Sequence, residues 1–108
     1  PTSVDPEGSG DPVSIDLGVA RPNPMGSTTR FSFTLDRSAR VDLVVFDVRG
    51  RRVRSLSTEE RPAGAHSIEW DGRDDAGRPV AAGTYFGSVV IADGAESRRL
   101  ARRVTVVR

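Results

Sequence analysis

The stretch WDGRDDAGRPVAAGTYF, Trp70 to Phe86, gathers residue types that could do chemistry: Asp71, Asp74 and Asp75 among Gly72, Gly77 and Gly83, framed by the chain's one Trp and its one Tyr, Tyr85. Carboxylates in a glycine-rich loop suit a hard cation such as calcium, which takes oxygen ligands. The EF-hand pattern is not met, because position three counted from Asp71 is Arg73 and position twelve is Ala82. A looser calcium site, Asp71, Asp74 and Asp75 completed by backbone carbonyls, is the metal alternative. The other reading is an elaborate turn with no cofactor.

Nucleophilic catalysis needs a Ser, Thr or Cys held by a base, and the chain's one imidazole is His66. It lies mid-strand beside Ile68, which suits a side chain in or at the edge of a sheet. Carboxylate pairs occur at Glu59-Glu60 and Asp74-Asp75. Neighbours on a strand point apart, and both pairs read as solvated loop acids. Zero cysteines remove disulfides, thiol nucleophiles and thiolate zinc sites together. No catalytic residue is expected.

The basic residues are all Arg, and the net charge of +1 hides an asymmetry. Residues 1–20 carry Asp5, Glu7, Asp11 and Asp16 and no Arg, whereas the tail carries Arg98, Arg99, Arg102, Arg103 and Arg108. On a strand, Arg99 and Arg103 share one face with Ala101 and Thr105, and Arg98 and Arg102 share the other with Leu100 and Val104. That division, with no interleaved aromatic, argues against a nucleic-acid surface. No apolar run approaches the roughly 20 residues of a membrane-crossing helix, so no membrane insertion is expected.

These residues must be positioned by strands. At 108 residues, with 36% hydrophobic residues, seven prolines and eleven glycines, the chain suits one turn-rich β domain. It begins at Pro1, as an excised or processed piece would. PTSVDPEGSGDP reads as a flexible linker over 1–12, and the folded domain is expected over 13–108. VSIDLGVA alternates Val13, Ile15, Leu17 and Val19, and the two prolines of RPNPM then force an extended corner. TTRFSFTL places Phe31, Phe33 and Leu35 on one face. ARVDLVVFDV carries Val41, Leu43 and Val45 on one face and Val44, Phe46 and Val48 on the other, as in a central strand covered on both sides. Gly50 turns the chain into RVRSL, and STEERPAG reads as a polar loop. AHSIEW, GTYFGSVVIA and SRRLARRVTVVR supply three further strands, the last two joined by the hairpin signal Asp93-Gly94.

Seven short strands predict an all-β, antiparallel immunoglobulin-like sandwich of fibronectin III-like kind. Trp70, Tyr85, Phe31, Phe33 and Phe46 are the expected core anchors. Asp71-Gly72 is expected to open a positive-φ turn, with Asp74 or Asp75 accepting backbone N–H bonds and Gly83 admitting the next strand.

RPNPM followed by TTRFSFTL, then VDLVVFDVRGRRVRSL, then AGAHSIEWDGRDDAGRPVAAGTYF, resembles the immunoglobulin-like domain of the flagellar hook-capping protein family. The same pattern is similar to the C-terminal sorting domains of type IX secretion cargo. The likeness runs from Leu17 to the end, and the Trp70 to Phe86 block is its most specific part.

The resemblance implies a non-catalytic module of a secreted or cell-surface bacterial protein, carried behind an upstream cargo domain. Its implied partners are an outer-membrane secretion translocon and a sortase-like protease. The sorting signal would map onto Arg99 to Arg108, with Arg98, Arg99, Arg102, Arg103, Val104, Val106 and Arg108 as partner-binding residues. The use of Arg where many members have Lys is a departure. The alternative is a structural or adhesive spacer whose partners are neighbouring subunits of a hook-cap-like assembly.

Overall fold

The computed structural model describes residues 14–92 and 97–108. Seven strands follow in order: β1 (Ile15–Leu17), β2 (Thr29–Leu35), β3 (Ala39–Asp47), β4 (Arg52–Arg61), β5 (Gly64–Trp70), β6 (Gly83–Ala92) and β7 (Ser97–Val106). They form two antiparallel sheets, β1-β2-β5 and β4-β3-β6-β7. This is the expected immunoglobulin-like sandwich, with the fourth strand in the second sheet as in the fibronectin III-like arrangement. The expected linker over 1–12, the domain start at Val13 and the Asp93-Gly94 turn lie outside the described residues.

Alternation along each strand builds the core. In β2 every second residue is buried, which sends Phe31, Phe33 and Leu35 inward. They meet Val41, Leu43 and Val45 of β3, Val89 and Ile91 of β6, and Val104 and Val106 of β7. Trp70 and Met25 have no exposed surface, so each contributes by full apolar burial, about 1.5–3 kcal/mol for a Met-sized side chain. Gly87 shows how tight the fit is. A Cβ there would lie 2.5 Å from Cε1 and 2.6 Å from Cζ of Phe31, so the ring occupies the space a side chain would need.

Four expectations require correction. Val19 is 56% exposed, because β1 ends at Leu17 and Ala20 turns inward instead. Phe46 is not a core anchor: it and Val44 are half-buried on the outer face of β3, and Val48 is 67% exposed in the hairpin turn. A two-layer sandwich covers only one face of each sheet, and β3, although central in its sheet, has no third layer over it among the described residues. Finally, STEER is strand and not loop. As β4 it pairs with β3 as far as Ala39↔Arg61. An edge strand with little to bury can be polar. Register shifts in the β3–β4 pairing fall where Val53 and Leu56 reach the core.

The β3–β4 turn is organised by Asp47. Its Oδ1 accepts the N–H groups of Arg49 and Arg51 at 2.9 and 3.0 Å, and Oδ2 accepts Arg51 Nε at 3.1 Å. The Arg51 N–H, foremost among these, holds the carboxyl below the ordinary aspartate range. Gly50 takes φ 81°, which a non-glycine residue adopts only under strain.

Candidate functional site

The Trp70 to Phe86 segment folds as a corner whose acids are occupied by protein donors. Asp71 Oδ1 accepts the Arg73 N–H and Arg54 Nη1, both at 3.1 Å. Asp74 Oδ1 accepts the N–H groups of Ala76 and Arg78 at 3.0 and 2.9 Å. Its carboxyl is held below the ordinary range, mainly by the Arg78 N–H. Asp75 Oδ1 accepts the Ser55 N–H at 2.9 Å, and Oδ2 lies 3.3 Å from Arg52 Nε. Each carboxylate thus serves a different set of N–H donors. Among the described residues no three His, Cys, Asp or Glu side chains are grouped to hold a metal ion. The acids of the looser calcium reading are committed to turn-making.

Backbone geometry completes the corner. Gly72 and Gly77 take φ 73° and 84°, as expected for left-handed turn positions, and Gly83 takes φ 152° at the entry to β6. Trp70 Nε1 donates to Arg73 O at 3.0 Å, and its ring meets Tyr85 edge-on at 5.6 Å. Tyr85 donates its O–H to Ala81 O at 2.7 Å. A tyrosine near the start of the sixth strand bonding back to the preceding connection has the form of a tyrosine corner. Burial pushes its phenol above 10.0.

The corner also ties separate parts of the sandwich together. Asp75 donates its N–H to Val53 O at 2.9 Å while its carboxylate takes the Ser55 N–H, so the loop covers the open edge of β4. From the other end, Arg108 donates Nε to Val80 O at 3.0 Å and Nη2 to Gly72 O at 2.9 Å. The last residue of the chain therefore clasps the Trp70 to Phe86 segment.

β7 is an edge strand, and part of its edge is closed. Asn23 Oδ1 accepts the Thr105 N–H at 2.9 Å, and Asn23 Nδ2 donates to Arg103 O at 3.1 Å. Met25 continues the closure, donating to Thr105 O at 2.8 Å and accepting from Val107 at 3.0 Å. The rigid RPNPM corner thus acts as a short added strand, with cis peptides before Pro22 and Pro24.

The seven tail residues proposed to bind a partner occupy distinct environments. Val104 and Val106 are 0% and 1% exposed, so they belong to the core and reach no partner in the folded domain. Arg102 donates to Leu17 O at 2.8 Å and Ala101 O at 2.9 Å, bridging β7 to β1. Arg108 is the clasp. Arg98, Arg99 and Arg103 are exposed, the last two on the outer face of the four-stranded sheet. His66 sits on the edge strand β5, stacked on Phe33 at 5.3 Å with Nε2 2.8 Å from Pro62 O.

Sequence patterning gives little sign of Asn23, Arg54 or Ser55, whose partners are 17 to 82 residues away. Gly87 does leave a signal, because an isolated glycine within a strand marks close approach by another group.

A two-sheet sandwich with a tyrosine corner and donor-filled acidic turns defines the class: an immunoglobulin-like module. More narrowly, the chain belongs to the FlgD Ig-like domain family, whose model matches residues 21–95. The basal-body rod modification protein FlgD of Salmonella typhimurium is 36% identical over 69 residues, which are 63% of this chain and 30% of that protein. The chain therefore spans less than a third of that relative.

Among solved structures, dimeric latent PorU from Porphyromonas gingivalis is similar in fold, with a TM-score of 0.76 and 22% identity over 90% of this chain and 10% of that one. PorZ, a surface component of the type-IX secretion system of Porphyromonas gingivalis, is similar with a TM-score of 0.52 and 20% identity over 89% of this chain and 11% of that one.

Proposed function

We propose that this domain is a non-catalytic sorting and surface-anchoring module of an exported bacterial protein, recognised as a folded unit by a type IX secretion translocon. The observation that carries the reading is the state of β7. Two of its valines are core, Arg108 is clasped to Gly72 and Val80, and Asn23 with Met25 closes its edge near the end. A tail fixed this way presents its signal as surface on a folded sandwich. The fold shared with PorU and PorZ supports the setting. Strand addition to the β7 edge is then restricted to the part before Arg103.

Export of a reporter fused to the domain tests the reading, in a host with type IX secretion. Surface reporter is expected from the intact domain and loss of export from Trp70→Ala, which disrupts the fold. Periplasmic retention of the intact fusion, with no effect of removing Arg99 to Arg108, would exclude it.

The 36% identity to Salmonella FlgD favours a second reading, a structural or adhesive spacer in a hook-cap-like assembly. It predicts contacts with copies of the same protein or neighbouring subunits, measured by sedimentation and pull-down with the purified domain. A wholly inert monomer would count against this reading.

A further inference from the structure

The outer face of the four-stranded sheet carries features that the fold does not consume. Cross-strand register arranges its side chains in rows: Thr58, Asp42, Val90, Arg99; then Ser55, Val44, Ser88, Ala101; then Arg52, Phe46, Phe86, Arg103. Val44, Phe46, Phe86 and Val90 form a half-buried apolar stripe over β3 and β6. Ser88 lies within it, 5% exposed, and its hydroxyl has no hydrogen-bond partner among the described residues. A buried hydroxyl left unpaired costs free energy that an incoming acceptor or donor would recover.

Charge on this face is divided by strand: Glu60 lies opposite Arg40 on the β4 edge, whereas among the described residues the charges on the β7 side are all arginines. Arg40 pairs with Asp42 at 3.3 Å and Arg52 with Asp75 at 3.3 Å. The Arg99 and Arg103 guanidinium groups on β7 are exposed and form no ion pair among the described residues. Four residues apart on a strand, they stand about 13 Å from each other at ~3.3 Å per residue. A second copy of the chain is a poor occupant. A two-fold axis along the strands sets Arg103 over the partner copy's Arg52 row, and one across the strands sets the β7 arginines over each other.

We propose that this face docks an acidic segment of a partner protein that carries aliphatic side chains between its carboxylates. The aliphatic groups cover Phe46, Phe86 and Val44, and the carboxylates meet Arg99 and Arg103 as charge-assisted hydrogen-bond acceptors. The proposal takes from the preceding reading only that the partner is a protein, and its test involves no secretion step.

The test is an amide NMR titration of the 15N-labelled full chain with the synthetic peptide acetyl-Asp-Leu-Asp-Leu-Asp-Leu-Asp-amide. Shifts are expected at Val44, Phe46, Phe86, Ser88 and Ala101. Replacing the leucines by serine, or Phe86 by Ser, should weaken binding at least about tenfold. The Arg99→Glu/Arg103→Glu variant should lose the acidic peptide and gain its lysine counterpart, a swap that misfolding cannot imitate. Shifts centred on the β1-β2-β5 face, equal binding of the serine peptide, or failure of the charge swap would overturn the proposal. Concentration-dependent dimerisation abolished by Phe86→Ser would assign the face to a second copy and overturn it as well.

Discussion

Replacing Gly87 by Ala tests whether this core is held by close interdigitation of the two sheets. Gly87 faces inward from β6, and no positive φ is needed there, so alanine introduces no backbone strain. What it introduces is a methyl group 2.5 Å from Phe31 Cε1, 2.6 Å from Cζ and 3.2 Å from Cδ1. Phe31 is fully buried in β2, so the ring has no solvent side to swing toward. Overpacking of this kind costs about 1–3 kcal/mol. The lower unfolded-state entropy of alanine offsets about 0.4–1 kcal/mol, leaving a net loss of about 1–2 kcal/mol. For a domain this size that lowers the thermal midpoint by roughly 5–15 °C. Urea and thermal unfolding of Gly87→Ala, Phe31→Leu and the double variant provide the measurement. Leucine in place of Phe31 removes the clashing ring atoms, so the double variant should be more stable than the summed single effects by about 1 kcal/mol or more. A neutral or stabilising Gly87→Ala, or strict additivity, would refute the steric argument.

Further outcomes are expected from the corner and the edges. Trp70→Ala leaves a cavity against Tyr85 and leaves the Arg73 carbonyl with Arg54 Nη1 at 3.3 Å in place of two donors, and should cost about 3–5 kcal/mol in denaturant titration. The Asp47 and Asp74 carboxyls lie below their ordinary value of 3.8, so their stabilising effect is present above that pH and lost as pH falls through their folded values. Asp47→Asn and Asp74→Asn should therefore lower the neutral-pH midpoint and flatten the acid limb of the stability curve, and the loss in Asp74→Asn should be the same with or without calcium. Tyr85 has the opposite sign: its raised phenol gives stability that is intact below 10.0 and declines above it, a decline that Tyr85→Phe should abolish. Asn23→Leu removes the side-chain partner of Thr105, so hydrogen exchange at the Thr105 amide should accelerate while the β6–β7 amides stay protected.

Strand existence was legible wherever alternation was strong. Phe31, Phe33 and Leu35 in β2, and Tyr85, Val89 and Ile91 in β6, read directly as inward faces, because a period of two is set locally by the pleat. The turn chemistry of Asp71-Gly72, Asp74 and Gly77 was equally local. Where a strand lacked an apolar signal, as in Ser57 to Arg61 of β4, its assignment depended on pairing with β3, which no local pattern encodes. Phe46 illustrates the converse. Its hydrophobicity suggests a core position, yet its exposure depends on whether a third layer covers the sheet.

The sequence by itself therefore determined the class of fold and the number of strands, since these follow from periodicity and turn residues acting over a few positions, while the family resemblance rested on the particular motifs from RPNPM to the Trp70 to Phe86 block. Only the tertiary structure decided what the Arg-rich tail is. It buried Val104 and Val106, spent Arg102 on Leu17 and Arg108 on Gly72 and Val80, and left Arg99 and Arg103 outside on the apolar face of the sheet. Chemically identical guanidinium groups took different roles because strand parity and edge position, set by partners up to 85 residues away, decide which of them meets a carbonyl and which meets solvent.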